Sequence, residues 1–433
     1  MMRKALVDSI IWRGIYFVTA LLLNVCIARV YEANKSGWIY FISNNLSLVI
    51  LVAGLSLDSS MTYFSASKQI APGKLALFSL TWPFAVALIG IGCTVFLNWT
   101  GQITSDYSFL LVAGASFTFG ISLTNFFTAL FYAENNFVVP NVFLSSLNVA
   151  VIVLLPVFAS GIGGLTKEHF LYFYFLQFIL QGLGLAVLFL HLHAPTPSLT
   201  FLRKEEFKAL LKFALIALSS NVAYYFLNRV DYFFVERWCS AKSFGNYVQV
   251  SKIGQLFLII PSILASAIYP QVAKGNAGNV VKLILRLMCV FALIYIFIII
   301  AAYFVSNAVF LWLFGLTFDE MFIPFIILLP GILFLSLHLI IAAYLGGRNK
   351  PHYNLISTGA GLVVVLAGDF FLIKEMGTAG AALVSTLGYT VAFIVSLILF
   401  VKETQTNWKE IASRDTFRLK TYTSLFATQP LNQ

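Results

Sequence analysis

The sequence predicts an all-α polytopic membrane protein with about twelve transmembrane helices. Of its 433 residues, 60% are hydrophobic and only 10% are charged, and the mean hydropathy is +0.90. A soluble domain is only about half apolar. Because a helix needs about 20 apolar residues to cross the hydrocarbon core, the apolar runs of this chain suffice for about twelve spans.

The predicted spans follow one another with short connections. The first apolar run comes after Arg3 and Lys4 and has no small-residue cleavage site, so it is predicted to stay as a membrane helix. The spans are residues 10–30, 38–61, 75–97, 109–133, 138–158, 170–192, 209–235, 247–269, 280–305, 321–345, 355–373 and 379–401.

The most polar internal connection divides these spans into six and six. The sequence therefore predicts an N-terminal lobe at residues 1–192, an inter-lobe loop at 193–207, a C-terminal lobe at 208–401 and a basic tail at 402–433. Arg29 and Gly37 recur 208 residues later as Arg237 and Gly245. The two copies are six spans apart, and because six is even, both have the same orientation across the membrane. A parallel repeat, related by an axis along the membrane normal, is therefore predicted.

Basic residues are concentrated in alternate connections. Of the 27 Lys and Arg residues, 18 lie in the two termini and in every second loop. By the positive-inside rule, both termini are predicted to be cytoplasmic. The net charge of +10 is thus explained by membrane topology, and no nucleic-acid partner is predicted.

Three cations lie within predicted spans, namely Arg13, Arg229 and Lys252. A charged side chain at membrane depth costs several kcal/mol unless it faces protein or a wet cavity. They are predicted to line an internal path and bind an anionic group, or alternatively to pair with intramembrane acids. The candidate acids, which are also candidates for coupling to a proton or Na⁺, are Asp58, Asp231 and Asp369.

Polar residues recur at helical spacing in the first, second, seventh and eighth spans, whereas the other spans carry few. They are predicted to line the same path, with interhelical hydrogen bonding or packing as the alternative. The predicted lining residues are Asn24, Asn44, Asn221, Tyr224, Tyr225, Asn228, Tyr232, Gln249 and Gln255. The spacing of Cys and His predicts no metal site, and no organic cofactor is expected.

Two helix pairs of the chain resemble those of polysaccharide repeat-unit flippases. The first pair runs from Ala28 and Arg29 through Gly37 and Gly54 to Asp58. The second covers residues 211–274, with Asn228, Arg229, Asp231, Gly245, Tyr247, Pro261 and Pro270. These flippases belong to the MATE-like superfamily of multidrug, oligosaccharidyl-lipid and polysaccharide exporters.

This resemblance implies two six-helix lobes around a central cavity that opens alternately to each side of a bacterial inner membrane. The implied substrate is an undecaprenyl-pyrophosphate-linked oligosaccharide, which moves to the periplasmic leaflet for O-antigen, capsule or exopolysaccharide assembly. A polysaccharide polymerase and a chain-length regulator are the implied protein partners, beside the membrane lipids.

Two other functions are alternatives to a flippase. A MATE-type drug/cation antiporter has the same fold, but it would favour a cavity with excess acid. A membrane polysaccharide polymerase or glycosyltransferase would need an outer loop with paired carboxylates or Arg and His clusters. The longest predicted outer loops, residues 98–108 and 306–320, offer only Asp106, Asp319 and Glu320. The protein is therefore predicted not to be an enzyme.

Overall fold

The structure is a computed structural model that describes residues 2–102, 105–134, 136–193, 200–273, 277–348 and 350–405. These residues form α-helices, short 3₁₀ turns and connecting loops, and no strand occurs among them. Residues 194–199 of the predicted inter-lobe loop lie outside the described part, as do residues 406–433 of the predicted tail.

Twelve α-helices follow one another along the chain, with 3₁₀ turns at Ile162–Gly164 and Leu316–Phe318. The α-helices are α1 (Met2–Ala53), α2 (Leu57–Ala66), α3 (Pro72–Trp99), α4 (Tyr107–Ala133), α5 (Val138–Ser160), α6 (Lys167–His193), α7 (Lys204–Trp238), α8 (Ala241–Leu256), α9 (Ile259–Ala273), α10 (Ala277–Phe314), α11 (Phe322–Gly347) and α12 (Pro351–Thr404).

Three breaks decide how these elements are counted as spans. Helix α1 breaks at Glu32 (φ 60°) and α12 at Gly377 (φ 57°), and each arm that results is long enough to cross a membrane. Helices α8 and α9 meet at a bend of 40°, and neither is long enough by itself to cross a membrane. Among the described residues, nine helices are long and apolar enough to span, or ten if the bent pair counts as one span. With the bent pair counted as one span and the arms of α1 and α12 counted separately, the described residues supply twelve spans, as predicted.

Large apolar side chains cover the outer faces of these helices. Leu88, Phe297 and Val363 are each about 70% exposed, whereas Phe127 and Tyr247 are fully buried between helices. Such an apolar surface is unfavourable in water and suits contact with lipid. The helical backbone suits lipid as well, because its hydrogen bonds are made within the helix. The protein is a multi-pass membrane protein, and its predicted all-α fold class is confirmed.

Contacts between helices divide the chain into two compact units. Unit 1 comprises Met1–Ile253 and Asn307–Phe322, and unit 2 comprises Gly254–Ser306 and Ile323–Gln433. Unit 1 thus holds α1 to α7, most of α8 and the end of α10. The lobe boundaries drawn from the sequence stay a prediction.

Two predicted boundaries were wrong. The second span does not run unbroken from 38 to 61, because Leu55 and Ser56 after Gly54 adopt left-handed φ values of 52° and 51°. Glycine is a poor helix former, and here it ends the helical run. Residues 306–320 are not mainly loop, because the apolar stretch up to Phe314 prolongs α10 until Gly315 (φ 99°) ends it.

The bend between α8 and α9 has a local cause. Pro261 has no N–H to donate to the carbonyl of Phe257, four residues earlier. The hydroxyl of Tyr295 in α10 donates to that carbonyl at 2.8 Å and also lies 3.1 Å from the Ser336 hydroxyl. A tyrosine therefore satisfies the backbone carbonyl that Pro261 leaves without a donor.

The second arm of α1 and the start of α8 cross at two glycines of the sequence repeat. A Cβ on Gly37 would lie 2.7 Å from the carbonyl oxygen of Ala241 and 3.1 Å from the nitrogen of Gly245. A Cβ on Gly245 would overlap the carbonyl group of Ala33. Ala33 and Ala241 are also 208 residues apart. The contact is thus reciprocal, as a two-fold relation between repeats requires.

Candidate functional site

Polar side chains from α1, α7 and α8 meet inside unit 1. The helices that carry them are otherwise apolar, so contacts between these groups contribute much of their hydrogen bonding. We call this set the polar cluster. Its members are Asn24, Tyr40, Asn44, Tyr225, Arg229, Asp231, Tyr232, Tyr247, Gln249 and Lys252.

Lys252 on α8 reaches both arms of α1. Its ammonium donates to Asn24 Oδ1 at 2.5 Å and lies 3.5 Å from the ring centroid of Tyr40. One turn earlier, Gln249 Nε2 donates to the Tyr40 hydroxyl at 2.6 Å. The cation is thus held by an amide oxygen and an aromatic face, and neither of these neutralises its charge.

Arg229 on α7 supplies a second cation nearby. Its guanidinium lies 4.8 Å from the ring centroid of Tyr232, three residues on, and donates to the Tyr232 hydroxyl. Arg229 and Lys252 lie on α7 and α8, which the contacts of Tyr247 with Asp231 and Tyr232 hold together. Two cations within one low-dielectric cluster favour an anion as a ligand.

Asp231 on α7 is 3% exposed and accepts a hydrogen bond from the hydroxyl of Tyr247 on α8. Tyr247 is fully buried, and its ring packs edge-on against Tyr232 at 6.0 Å between centroids. This contact ties α7 to α8 beside the two cations. It gives the carboxylate of Asp231 a partner that carries no charge.

A cavity of about 260 Å³ adjoins the polar cluster. Its lining includes Asp58 and two hydrogen-bonded residues of α7. Tyr225 donates to the carbonyl oxygen of Asn44 at 2.9 Å, and Asn221 donates to the Ser56 hydroxyl at 3.1 Å. Tyr225 therefore belongs to both the cluster and the cavity. The broken segment at Gly54 and Ser56 forms part of the wall.

Sequence reasoning missed some of this lining. Ser122 and Asn125 of α4 face the cavity together with Ser56, although the fourth span was expected to carry few polar residues. Their spacing of three residues places both on one helical face, which is the signal that could have identified them. None of the three predicted cations belongs to the lining of this cavity.

The remaining predicted residues lie elsewhere. Arg13 lies 5.7 Å from the ring centroid of Tyr132 on α4, and eleven residues of helix put it about 16 Å along α1 from Asn24. Asn228 donates to the carbonyl of Tyr224 in its own helix at 2.7 Å. Gln255 and the fully buried Asp369 belong to unit 2. The structure thus places Arg229 and Lys252 in one polar cluster and Arg13 outside it.

Ligands for a metal ion do not converge in the described part of the chain. No group of three or more His, Cys, Asp or Glu residues there could hold one. All four cysteines are free thiols.

The fold and the polar cluster define a multi-pass membrane protein with a hydrophilic interior in unit 1. Comparison with known proteins shows which membrane proteins this chain is similar to. Residues 170–323 match the profile of a family described as "Polysaccharide biosynthesis protein". The matched region includes α7 and α8, which carry Arg229 and Lys252.

One curated relative is the probable low-salt glycan biosynthesis flippase Agl15 of Haloferax volcanii. It is 24% identical over 199 residues, which are 44% of this chain and 42% of that protein. The chain therefore aligns with less than half the length of this relative.

Two solved structures share the fold over nearly the whole chain. The lipid II flippase MurJ in an inward closed conformation has a TM-score of 0.69 at 12% identity, covering 97% of this chain and 93% of that one. An outward-facing multidrug resistance MATE family transporter of the MOP superfamily has a TM-score of 0.65 at 16% identity, covering 93% and 96%. The predicted MATE-like fold and the resemblance to polysaccharide flippases are confirmed.

Proposed function

We propose that this protein is an alternating-access flippase for a lipid-linked oligosaccharide. It would move an undecaprenyl-pyrophosphate-linked oligosaccharide from the cytoplasmic to the outer leaflet of a bacterial inner membrane, for assembly of a surface polysaccharide such as O-antigen, capsule or exopolysaccharide. The observation that carries the proposal is the presence of both Arg229 and Lys252 in the polar cluster, on α7 and α8.

A pyrophosphate headgroup cannot enter hydrocarbon with its charge uncompensated. Arg229 offers a planar fork of donors and Lys252 a compact charge, so together they replace part of the lost hydration. The amides and phenols around them provide further donors and acceptors for phosphate oxygens or sugar hydroxyls. Arg13, about three turns away along α1, is proposed as an earlier contact for the same headgroup.

The remaining polar residues are assigned supporting roles. Asp58 in the cavity wall and the buried Asp231 and Asp369 are proposed to bind a coupling proton or Na⁺, since acids near a transport path are where an ion gradient acts. Asn221, Tyr224, Asn228 and Gln255 are proposed to line the path. Both termini are proposed to be cytoplasmic. A polysaccharide polymerase and a chain-length regulator are the proposed partners.

The shared fold does not by itself separate a flippase from a drug antiporter, because both kinds of protein have it. Two sequence-level findings favour the flippase: the match to a polysaccharide biosynthesis family and the similarity to a glycan flippase. The two adjacent cations point the same way, since they suit an anionic cargo better than a cationic drug. A carrier function requires no catalytic group.

Deletion of the gene followed by leaflet-resolved extraction of polyprenyl-linked glycans tests the proposal. The expected result is accumulation of the lipid-linked oligosaccharide on the cytoplasmic leaflet and loss of surface polysaccharide. Unchanged glycan export combined with altered sensitivity to cationic drugs would overturn the proposal. Re-expression of the wild-type chain is the control that links the defect to this protein.

A further inference from the structure

A second and larger cavity lies in unit 1 on the side that the charge pattern assigns to the outside. Its volume is about 590 Å³, within the range of roughly 300–1,000 Å³ typical of small-molecule sites. Three segments distant in sequence form it: the break of α1, the start of α4 and the start of α6. We call it the outer pocket. Its lining is Tyr31, Asn34, Lys35, Trp38, Ile39, Ser105, Asp106, Phe109, Lys167, Glu168, Leu171 and Tyr172.

Aromatic rings form a fixed platform in the outer pocket. Trp38 stacks on Phe109 at 5.5 Å between centroids with 26° between the ring planes, and Tyr172 meets the same Phe109 edge-on at 5.2 Å. Phe109 is buried, whereas Trp38 and Tyr172 are half-buried. Phe109 thus packs against both rings and fixes their positions, and both rings still line the pocket. Such a surface suits the apolar C–H face of a sugar ring.

Polar side chains surround this platform and supply both hydrogen-bond donors and hydrogen-bond acceptors. Asn34 offers an amide, Asp106 and Glu168 offer carboxylates, and Lys35 and Lys167 offer ammonium groups. All five side chains are exposed. Two acids and two bases leave the pocket without net charge. This balance fits a neutral ligand rich in hydroxyl groups better than an anionic lipid headgroup.

The segments of the outer pocket are fastened to one another. The hydroxyl of Tyr31 donates to the carbonyl of Lys167 at 2.5 Å, and the Lys167 ammonium donates to the carbonyl of Val30 at 2.9 Å. Ser108 lies 3.1 Å from the Tyr172 hydroxyl and donates to Asp106. The shape of the pocket therefore exists before a ligand arrives, which lowers the entropy cost of binding.

We propose that the outer pocket is a saccharide-binding site for a neutral segment of an oligosaccharide, separate from the polar cluster. Trp38 and Tyr172 stack on sugar rings, while Asn34, Asp106 and Glu168 bond to the hydroxyls. The proposal rests on the proposed function only for the origin of the saccharide, which is the glycan of the flipped lipid. The site would hold that glycan on the outer side after the headgroup leaves the membrane interior.

Binding of a lipid-free glycan tests this site without any transport step. The probe is the oligosaccharide released by mild acid from the host's polyprenyl-linked glycans, titrated calorimetrically into the purified full-length protein in detergent. Trp38→Ala and the milder Glu168→Gln are each expected to weaken binding at least tenfold. Trp99→Ala, which removes a 78% exposed tryptophan outside the pocket, is expected to leave binding unchanged.

Three results would overturn the proposal: no binding by the wild-type protein, binding that survives both pocket substitutions, or binding of dihexanoylphosphatidylglycerol in place of the glycan. Because Trp38→Ala removes the stacking on Phe109, its thermal unfolding is measured in parallel, and Glu168→Gln provides the variant with intact packing. Failure of the flippase proposal would appear as unchanged glycan export in the deletion strain, whatever the outcome of the titration.

Discussion

Gly37 and Gly245, which are 208 residues apart in the sequence, face each other where the second arm of α1 crosses the start of α8. Neither position has room for a side chain, because the partner helix backbone occupies the space. Close approach through small residues is a main source of helix association in membranes, where the hydrophobic effect contributes little. This crossing brings Lys252 of α8 to Asn24 and Tyr40 of α1.

Substitution of Gly37 by Leu is expected to destabilise the protein by about 1–3 kcal/mol, as overpacking of a tight contact does. The measurement is thermal unfolding in detergent, followed by the loss of the monodisperse peak on size exclusion. Gly14→Leu is the matched control, because a Cβ at Gly14 meets nothing within 4 Å. Equal unfolding temperatures for the two variants would show that the crossing is not tight.

Substitution of Lys252 by Met keeps the length of the side chain and removes its charge. A charge-assisted contact contributes about 1.5–3 kcal/mol, so glycan export or affinity for the lipid-linked substrate is expected to fall about 10- to 100-fold. Lys374→Met is the control, because the ammonium of Lys374 lies over Phe370 in unit 2. A Lys252→Met protein that is stable and exports normally would remove this cation from the headgroup site.

Tyr295→Phe is expected to cost about 1 kcal/mol, since the freed carbonyl of Phe257 then loses its donor. In a Pro261→Ala background the alanine N–H can bond to that carbonyl, so the same substitution should cost clearly less. A double-mutant cycle on unfolding temperature or denaturant midpoint measures the difference. Additive effects of the two changes would contradict the link between the helix bend and Tyr295.

The Lys242–Asp319 ion pair is expected to give a small pH dependence of stability. The two charged groups are 2.7 Å apart, and the hydrogen bond from Lys242 holds the pKa of Asp319 below its usual value of about 3.9. A lowered pKa means that the stabilisation is complete above about pH 4 and disappears as the pH falls through the folded pKa.

Comparison of wild type with Asp319→Asn in thermal unfolding from pH 7 to pH 3 tests this expectation. Both side chains are more than a third exposed, so the free energies of unfolding of the two proteins should differ by less than about 1 kcal/mol at neutral pH. This difference should shrink toward zero as the pH approaches 3. A difference that grows as the pH falls would contradict the sign of the shift.

Local sequence information predicted the spans and much of the polar cluster. Twenty apolar residues in a row have few alternatives to a membrane helix, and the cost of intramembrane charge singled out Arg229 and Lys252. The sequence could not predict that Arg13 lies outside the polar cluster. Arg13 is three helical turns from Asn24, and local sequence does not show whether residues that far apart contact the same neighbouring helices. The outer pocket was missed for the same reason, since its three segments are far apart in the chain.

Asn44 and Lys252 occupy equivalent positions, 208 residues apart, and each bonds to the first helix of the opposite half: Asn44 to Tyr225 and Lys252 to Asn24. The two contacts use different turns of those first helices, because Tyr225 corresponds to Phe17 in the first half and Asn24 corresponds to Tyr232 in the second. The crossing is therefore reciprocal in its backbone but not in its side chains, and it places a cation at one of two equivalent positions and a neutral amide at the other.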